Sequence, residues 1–143
     1  YRTFFMDQAR EVGVLQRTKF LGHLSLPDLR VCLDQADVFV LPSRGEGLPR
    51  ATIEAMARGL PAIGSTVGGF PELLPSEDLV PPGDVDALVC KLQEVLRSPA
   101  RMVRMSARNF KKAHEYAEDV LRARRHEFYT HVKERTEAWL KTR

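Results

Sequence analysis

Short apolar runs alternate with longer segments of helical periodicity along this chain. Val38–Leu41 and Ala62–Gly64 are brief apolar runs bounded by turn residues, which is typical of buried strands. Lys19–Leu21 has the same character and is a third candidate strand. Between the first two runs, a helix-compatible segment begins at Pro49, which suits the first helical position, and ends at Gly59. The order of strand, loop, helix and strand predicts a βαβ unit, and therefore a parallel sheet.

Further helices are predicted on both sides of this unit. Five segments have the spacing of amphipathic helices: residues 3–12, 27–35, 85–96, 99–114 and 117–141. Asp84 is a suitable N-cap for the helix that begins at residue 85. The last segment carries Phe128, Tyr129 and Trp139, whose apolar rings need a partner surface. Together these elements predict an α/β fold in which helices flank a parallel sheet.

Composition and charge describe a globular protein of about one domain. The 143 residues contain no apolar run near the ~18 residues of a membrane span. Two widely spaced cysteines, Cys32 and Cys90, favour reduced core thiols over a disulfide or metal pair, which fits a cytoplasmic protein. The net charge of +3 divides into −4 for residues 1–96 and +7 for residues 97–143. A basic tail could bind nucleic acid; we favour a solvated helix face of mixed charge.

Candidate chemistry concentrates in the loop that follows the first strand of the βαβ unit. Gly45, Glu46 and Gly47 precede a helix N-terminus, where unpaired N–H groups and the helix dipole favour phosphate. Glu54 lies five residues beyond Pro49, roughly 7–8 Å along the helix. A phosphate-binding site with a carboxylate on each side suits a nucleoside diphosphate sugar, which has hydroxyl groups at both ends. Taken singly, each glutamate is better explained as a solvated surface residue.

A second glycine loop, Gly68-Gly69, follows the strand Ala62–Gly64. Because the carboxyl ends of parallel strands meet at one edge of a sheet, we expect this loop to line the same crevice.

The full string from Pro42 to Pro61 identifies a family resemblance. It satisfies every fixed position of P-S-x-x-E-G-x-P-x-x-x-x-E-A-M-A-x-G-x-P, and so resembles the signature of the retaining glycosyltransferases of family 4, also called glycosyl transferases group 1. Earlier F-L-G-x-L and later G-G-x-P-E-L and L-V-P-P-G-D extend the resemblance over nearly the whole chain. The resemblance implies a Rossmann-like parallel sheet flanked by helices, the truncated C-terminal half of a GT-B fold. It further implies a nucleotide-sugar-binding domain over residues 1–116, with residues 117–143 forming a helix that crosses back to an N-terminal domain absent here.

The resemblance also assigns roles to individual residues. Glu46 would contact the donor sugar as the catalytic residue, Glu54 would hold the ribose hydroxyls, and the loop Gly22–Ser25 would hold the nucleobase. His23 itself is more simply a loop residue than a ligand or acid. The substrate-binding candidates are Gly22, His23, Leu24, Ser43, Gly45, Gly47, Leu48 and Glu54.

Transfer in such enzymes retains the anomeric configuration and needs no bound metal or cofactor, since the nucleotide-sugar is a substrate. The expected partners are a nucleotide-sugar donor and a sugar or lipid-linked acceptor bound by the N-terminal domain, with no nucleic acid. The cations that neutralise the diphosphate usually lie upstream of the part present here. We therefore expect an inactive, self-associating fragment of a cytoplasmic enzyme, with attachment to the inner membrane face left open. The alternative is a non-catalytic nucleotide-sugar-binding module.

Overall fold

A computed structural model describes residues 2–142, which divide after Cys32 into two compact units. The first unit contains helix α1 (Arg2–Glu11), a 3₁₀ turn at Leu15–Arg17 and the start of helix α2 (Leu26–Asp34). Gly13 follows α1 in the left-handed conformation, φ 73°, and ends the helix as predicted.

The predicted strand at Lys19–Leu21 is wrong. Within the described residues this segment has extended or irregular backbone and joins no sheet, and the side chain of Leu21 is 54% exposed. A strand is defined by ladder hydrogen bonds to a neighbour, and the first unit contains no second strand to supply them.

The second unit is built on a parallel three-stranded sheet, which confirms the predicted α/β class. Its strands are β1 (Phe39–Leu41), β2 (Ala62–Ser65) and β3 (Leu79–Val80), in that spatial order. Phe39 pairs with Ala62, and Gly64 pairs with Leu79. The helices of this unit are α3 (Arg50–Ala57), α4 (Phe70–Leu73), α5 (Val85–Leu96), α6 (Pro99–Ala113) and α7 (Glu118–Lys141).

The core lies on both faces of this sheet. Ala62 and Ile63 are consecutive in β2 and therefore point to opposite faces. The Ala62 side packs with Phe70 and other buried residues of the α3, α4 and α6 region, whereas Ile63 packs with Val95 of α5 and Met105 of α6. Central β2 is buried along its whole length, as a parallel strand covered by helices must be.

The predicted N-cap of α5 is confirmed, and α6 is capped in the same way. The Asp84 carboxylate accepts a hydrogen bond from the Ala87 N–H at 2.8 Å, and the Ser98 hydroxyl accepts one from the Arg101 N–H at 3.3 Å.

The prediction that both cysteines are core thiols is wrong for Cys90. Both are free thiols, but Cys32 is half-buried and Cys90 is exposed. Leu88, Leu92 and Val95 form the stripe of α5 that packs inward, and Cys90 lies two residues from the first two, on the opposite side of the helix.

Helix α7 forms as predicted but has no buried residue. Its aromatic side chains Phe128, Tyr129 and Trp139 are each more than half exposed. None of the described helices combines the length and apolar character that crossing a lipid bilayer requires.

A buried carboxylate ties the segment before β3 to helix α6. Asp78 has no solvent exposure; it accepts hydrogen bonds from the guanidinium groups of Arg101, at 2.9 Å, and Arg108. The bond to Asp78 raises the pKa of Arg101, which keeps that guanidinium charged. The buried side chain of Asn109, the residue after Arg108, donates to the carbonyl of Leu60 at 2.9 Å. These bonds fix α6 against the sheet.

Removing the Asp78 charge should therefore destabilise the fold. We expect Asp78→Asn to lower the free energy of unfolding by on the order of 3 kcal/mol, because two arginines lose a buried carboxylate. Urea denaturation measures the change. The matched control is Asp34→Asn, which removes a pair with Arg58 at 2.5 Å whose side chains are both more than 40% exposed; water screens this pair, so its loss should cost far less. Equal losses for the two variants would contradict this account of the cluster.

Candidate functional site

The loop between β1 and α3 carries most of the predicted site residues. Pro49 was predicted as the first helical residue, but its ψ of 95° is extended, so it is the N-cap and α3 begins at Arg50. The Pro49 carbonyl accepts hydrogen bonds from the N–H groups of Thr52, at 3.0 Å, and Ile53, at 3.4 Å. The N–H groups of Arg50 and Ala51, the first two residues of α3, remain available at the end of this loop.

Glu46 is held in place by its own loop. Its carboxylate accepts a hydrogen bond from the Ser43 hydroxyl at 2.6 Å, and both side chains are partly buried. The bond spans three residues, so the loop closes on itself between Pro42 and Gly47. This restricts the orientation of the Glu46 carboxylate before any ligand arrives.

Gly45 and Gly47 contribute open space instead of unusual backbone angles. Neither has a positive φ. A Cβ atom built on either residue would meet nothing within 4 Å. The absence of side chains here therefore leaves the loop backbone accessible to a ligand.

The second glycine loop, at the end of β2, contacts the first. The Gly69 N–H donates a hydrogen bond to the Gly47 carbonyl at 2.7 Å. Gly68 is left-handed, φ 52°, and a Cβ atom there would overlap the Glu46 carbonyl oxygen and lie 2.9 Å from that of Gly47. Only glycine fits Gly68, because both the backbone angle and the close approach exclude a side chain.

Glu54 lies on α3 beside a cavity of about 490 Å³. The α3 side of the cavity is formed by Leu48, Arg50 and Glu54, and the opposite side by residues around the start of α7, among them Tyr116 and Arg125. Glu54 is half-buried, and it has no hydrogen-bond or ion-pair partner among the described residues. A half-buried carboxylate without a protein partner is available to a ligand.

The structure places most of the candidates in two groups, one in the loop after β1 and one at the cavity beside α3. Ser43 bonds Glu46, Gly47 bonds the second glycine loop, and Leu48 shares the cavity with Glu54. Gly22, His23 and Leu24 lie in the first unit, in the loop before α2, where Gly22 is left-handed with φ 68°. Their proposed role at the nucleobase stays a prediction.

Sequence reasoning missed three features of this region. The contact of Gly68 with the Glu46 backbone depends on two segments 22 positions apart in the sequence, and only the general position of the second loop was predictable. Tyr116, in the turn before α7, and Arg125, on α7, line the cavity from a part of the chain that was assigned no role in the site. Arg50 did have a signal in the sequence, since a basic residue in the first helical turn opposes the helix dipole.

Comparison with known proteins identifies relatives of the chain. Residues 1–113 match the family described as glycosyl transferases group 1. A glycogen synthase of Mycobacterium tuberculosis is 37% identical over 100 residues, which cover 68% of this chain and 24% of the relative. A GDP-mannose-dependent monoacylated alpha-(1-6)-phosphatidylinositol monomannoside mannosyltransferase of Corynebacterium glutamicum is 41% identical over 114 residues, 73% of this chain and 29% of the relative. The chain thus spans between a fifth and a third of the length of these relatives.

Solved structures show the same architecture. Sucrose-phosphate synthase from Thermosynechococcus elongatus superposes with a TM-score of 0.84 at 28% identity, covering 93% of this chain and 34% of that one. Anabaena HepE in complex with UDP superposes with a TM-score of 0.78 at 22% identity, covering 93% and 37%. The second likeness concerns the fold alone. Together they confirm the α/β fold of part of a GT-B protein, of which this chain spans about a third.

The contact between the two glycine loops can be tested by filling it. We expect Gly68→Ala to lower the free energy of unfolding by more than the ~1–2 kcal/mol of left-handed strain, because the new methyl group displaces the Glu46 carbonyl. Gly83→Ala is the matched control: Gly83 is also left-handed, φ 80°, but its Cβ would approach only Arg44 Nε, at 4.0 Å. Urea denaturation gives the stability, and amide chemical shifts of Glu46 and Gly47 report the displacement. Indistinguishable variants would show that the loops do not constrain each other.

Proposed function

The chain belongs to the glycosyl transferases group 1 family, and from this membership we propose that it is the donor-binding part of a retaining glycosyltransferase that uses a nucleotide-sugar. The observation that carries the proposal is the arrangement around the helix N-terminus of α3. A restrained carboxylate, Glu46, lies in the open loop before this N-terminus, and an unpartnered one, Glu54, lies one turn into the helix. Such an arrangement suits a ligand with hydroxyl groups at both ends and phosphate between them.

In this proposal each residue binds a different part of the donor. Glu46 accepts hydrogen bonds from hydroxyl groups of the donor sugar, and the Ser43 hydroxyl positions its carboxylate. The N–H groups of Gly47 and Leu48 and the N-terminus of α3 meet the sugar and the phosphates. Glu54 accepts from the ribose hydroxyls. Gly45 leaves room for the ligand.

The proposed reaction breaks the bond between the anomeric carbon and the diphosphate oxygen. The acceptor hydroxyl oxygen bonds to the anomeric carbon from the face that the diphosphate leaves, so the configuration is retained. The negative charge that develops on the leaving diphosphate is stabilised by N–H groups of the loop and the dipole of α3. The acceptor, a sugar or a lipid-linked sugar, would be bound by a part of the protein beyond these 143 residues.

The relatives support the donor class without naming the donor. One relative is described as GDP-mannose-dependent, and HepE was solved with UDP. This chain is accordingly expected to take a nucleoside diphosphate sugar, and the two nucleotides are the appropriate probes of its base preference.

The two glutamates should affect different kinetic constants in the full-length protein. Glu54→Gln should weaken donor binding roughly tenfold or more, because a charged acceptor of a ribose hydroxyl becomes neutral. Glu46→Gln should lower turnover more than it weakens nucleoside diphosphate binding, because its contact is with the sugar. Steady-state kinetics and calorimetric titration separate the effects, and Glu127→Gln, an exposed change on α7, should leave both constants unchanged. Wild-type kinetics in both site variants would refute these assignments.

The 143 residues by themselves should fold, self-associate and fail to transfer sugar. Folding follows from the buried parallel sheet, and self-association from the exposed aromatic face of α7. We expect millimolar dissociation constants for UDP and GDP, because hydrogen bonds from one loop and one helix end provide most of the affinity. Titration calorimetry and analytical ultracentrifugation check both expectations. Micromolar binding by this chain alone, or sugar transfer by it, would show that the donor site is complete within it. Full-length protein that binds the donor without turnover would favour the alternative, a non-catalytic binding module.

A further inference from the structure

Arg50 occupies a position that does not favour a cation. It is the first residue of α3, where the exposed N–H groups already carry a partial positive charge. Acidic side chains stabilise this end of a helix, and basic ones oppose the dipole. Arg50 therefore weakens the helix that it begins, unless something else compensates its charge.

No described residue compensates that charge. Arg50 is exposed and has neither an ion pair nor a side-chain hydrogen bond among residues 2–142. Glu54 lies four residues further on the same face of α3, but the two side chains do not pair. Arginine precedes glutamate here, and this is the weaker order for an ion pair on a helix. A residue that breaks a local rule of stability without a partner is a candidate for ligand binding.

The cavity beside α3 shows where such a ligand would lie. Its volume of about 490 Å³ is in the range of small-molecule sites. Arg125, on the opposite side, is already paired with Glu118 at 3.0 Å. The charges still available to a ligand on the α3 side are thus the Arg50 guanidinium at the helix start and the Glu54 carboxylate one turn further, ~6 Å along the axis.

We propose that Arg50 binds the diphosphate of the donor in this cavity and supplies a cation that neutralises the leaving group. The inference rests on the proposed function, in which Glu54 holds the ribose. One helical turn separates the two side chains, which suits a diphosphate joined to a ribose. The planar guanidinium can donate two parallel hydrogen bonds to phosphate oxygens, and the N–H groups at the start of α3 add further donors. The bound anion attracts both the guanidinium and the helix N-terminus. These attractions offset the repulsion between Arg50 and the helix dipole.

Substitution of Arg50 should change ligand affinity and stability in opposite directions. Arg50→Gln in this chain should weaken UDP and GDP binding roughly tenfold or more, leave uridine and guanosine binding unchanged, and raise the melting temperature without ligand by ~1–3 °C. Arg50→Glu should extend both trends. Arg104→Gln, which removes an exposed arginine of α6 that has no partner among the described residues, is the matched control and should change neither quantity. Calorimetric titration and thermal unfolding measure the two effects.

The outcomes separate this inference from the function on which it rests. If wild-type chain and Arg50→Gln bind UDP equally, or if the variant loses uridine and UDP affinity alike, Arg50 does not bind the diphosphate. A lower melting temperature for Arg50→Gln would likewise overturn the argument from the helix dipole. If the wild-type chain binds neither UDP nor GDP, whereas Arg50→Gln is stabilised, the proposed function fails at this site and the inference fails with it.

Discussion

One backbone hydrogen bond holds the candidate site together: the Gly69 N–H donates to the Gly47 carbonyl across the carboxyl edge of the sheet. It forms because β1 and β2 are adjacent parallel strands, so the loops that leave them emerge side by side. Gly68 has to lack a side chain for the two loops to approach so closely. The contact fixes the backbone on either side of Gly47, and the Ser43 hydroxyl orients the Glu46 carboxylate next to it.

The rest of the second unit makes this edge of the sheet rigid. β2 is buried on both faces, and the Asp78 cluster fixes the segment before β3 to α6. These interactions are expensive to form, since a buried carboxylate has to be fully paired. Rigid strands below a loop of small residues give a site whose polar groups are already oriented, which is what stabilising a leaving diphosphate requires.

The parts of the fold that the sequence predicts are those with local patterns. The βαβ unit followed from two apolar runs, a glycine loop and helix-ending residues, and the cap at Asp84 followed from residue type. β3 was missed because two residues carry no periodicity, and Lys19–Leu21 was overpredicted because an apolar run is a strand only when a neighbour pairs with it. In the site, the motif around Glu46 and Glu54 could be recognised from the sequence. The Gly68 contact and the α7 side of the cavity were not, because they join segments that are distant along the chain.

The central claim is that the loop after β1 and the start of α3 bind the donor. Its most direct test is to map backbone amide chemical shifts of this chain as UDP is added. The account predicts that the largest changes fall on Gly47, Leu48 and the first turn of α3, with smaller changes at Gly69 through its bond to Gly47. Saturable changes confined to α7 or to the α5–α6 side, with the loop unaffected, would contradict it.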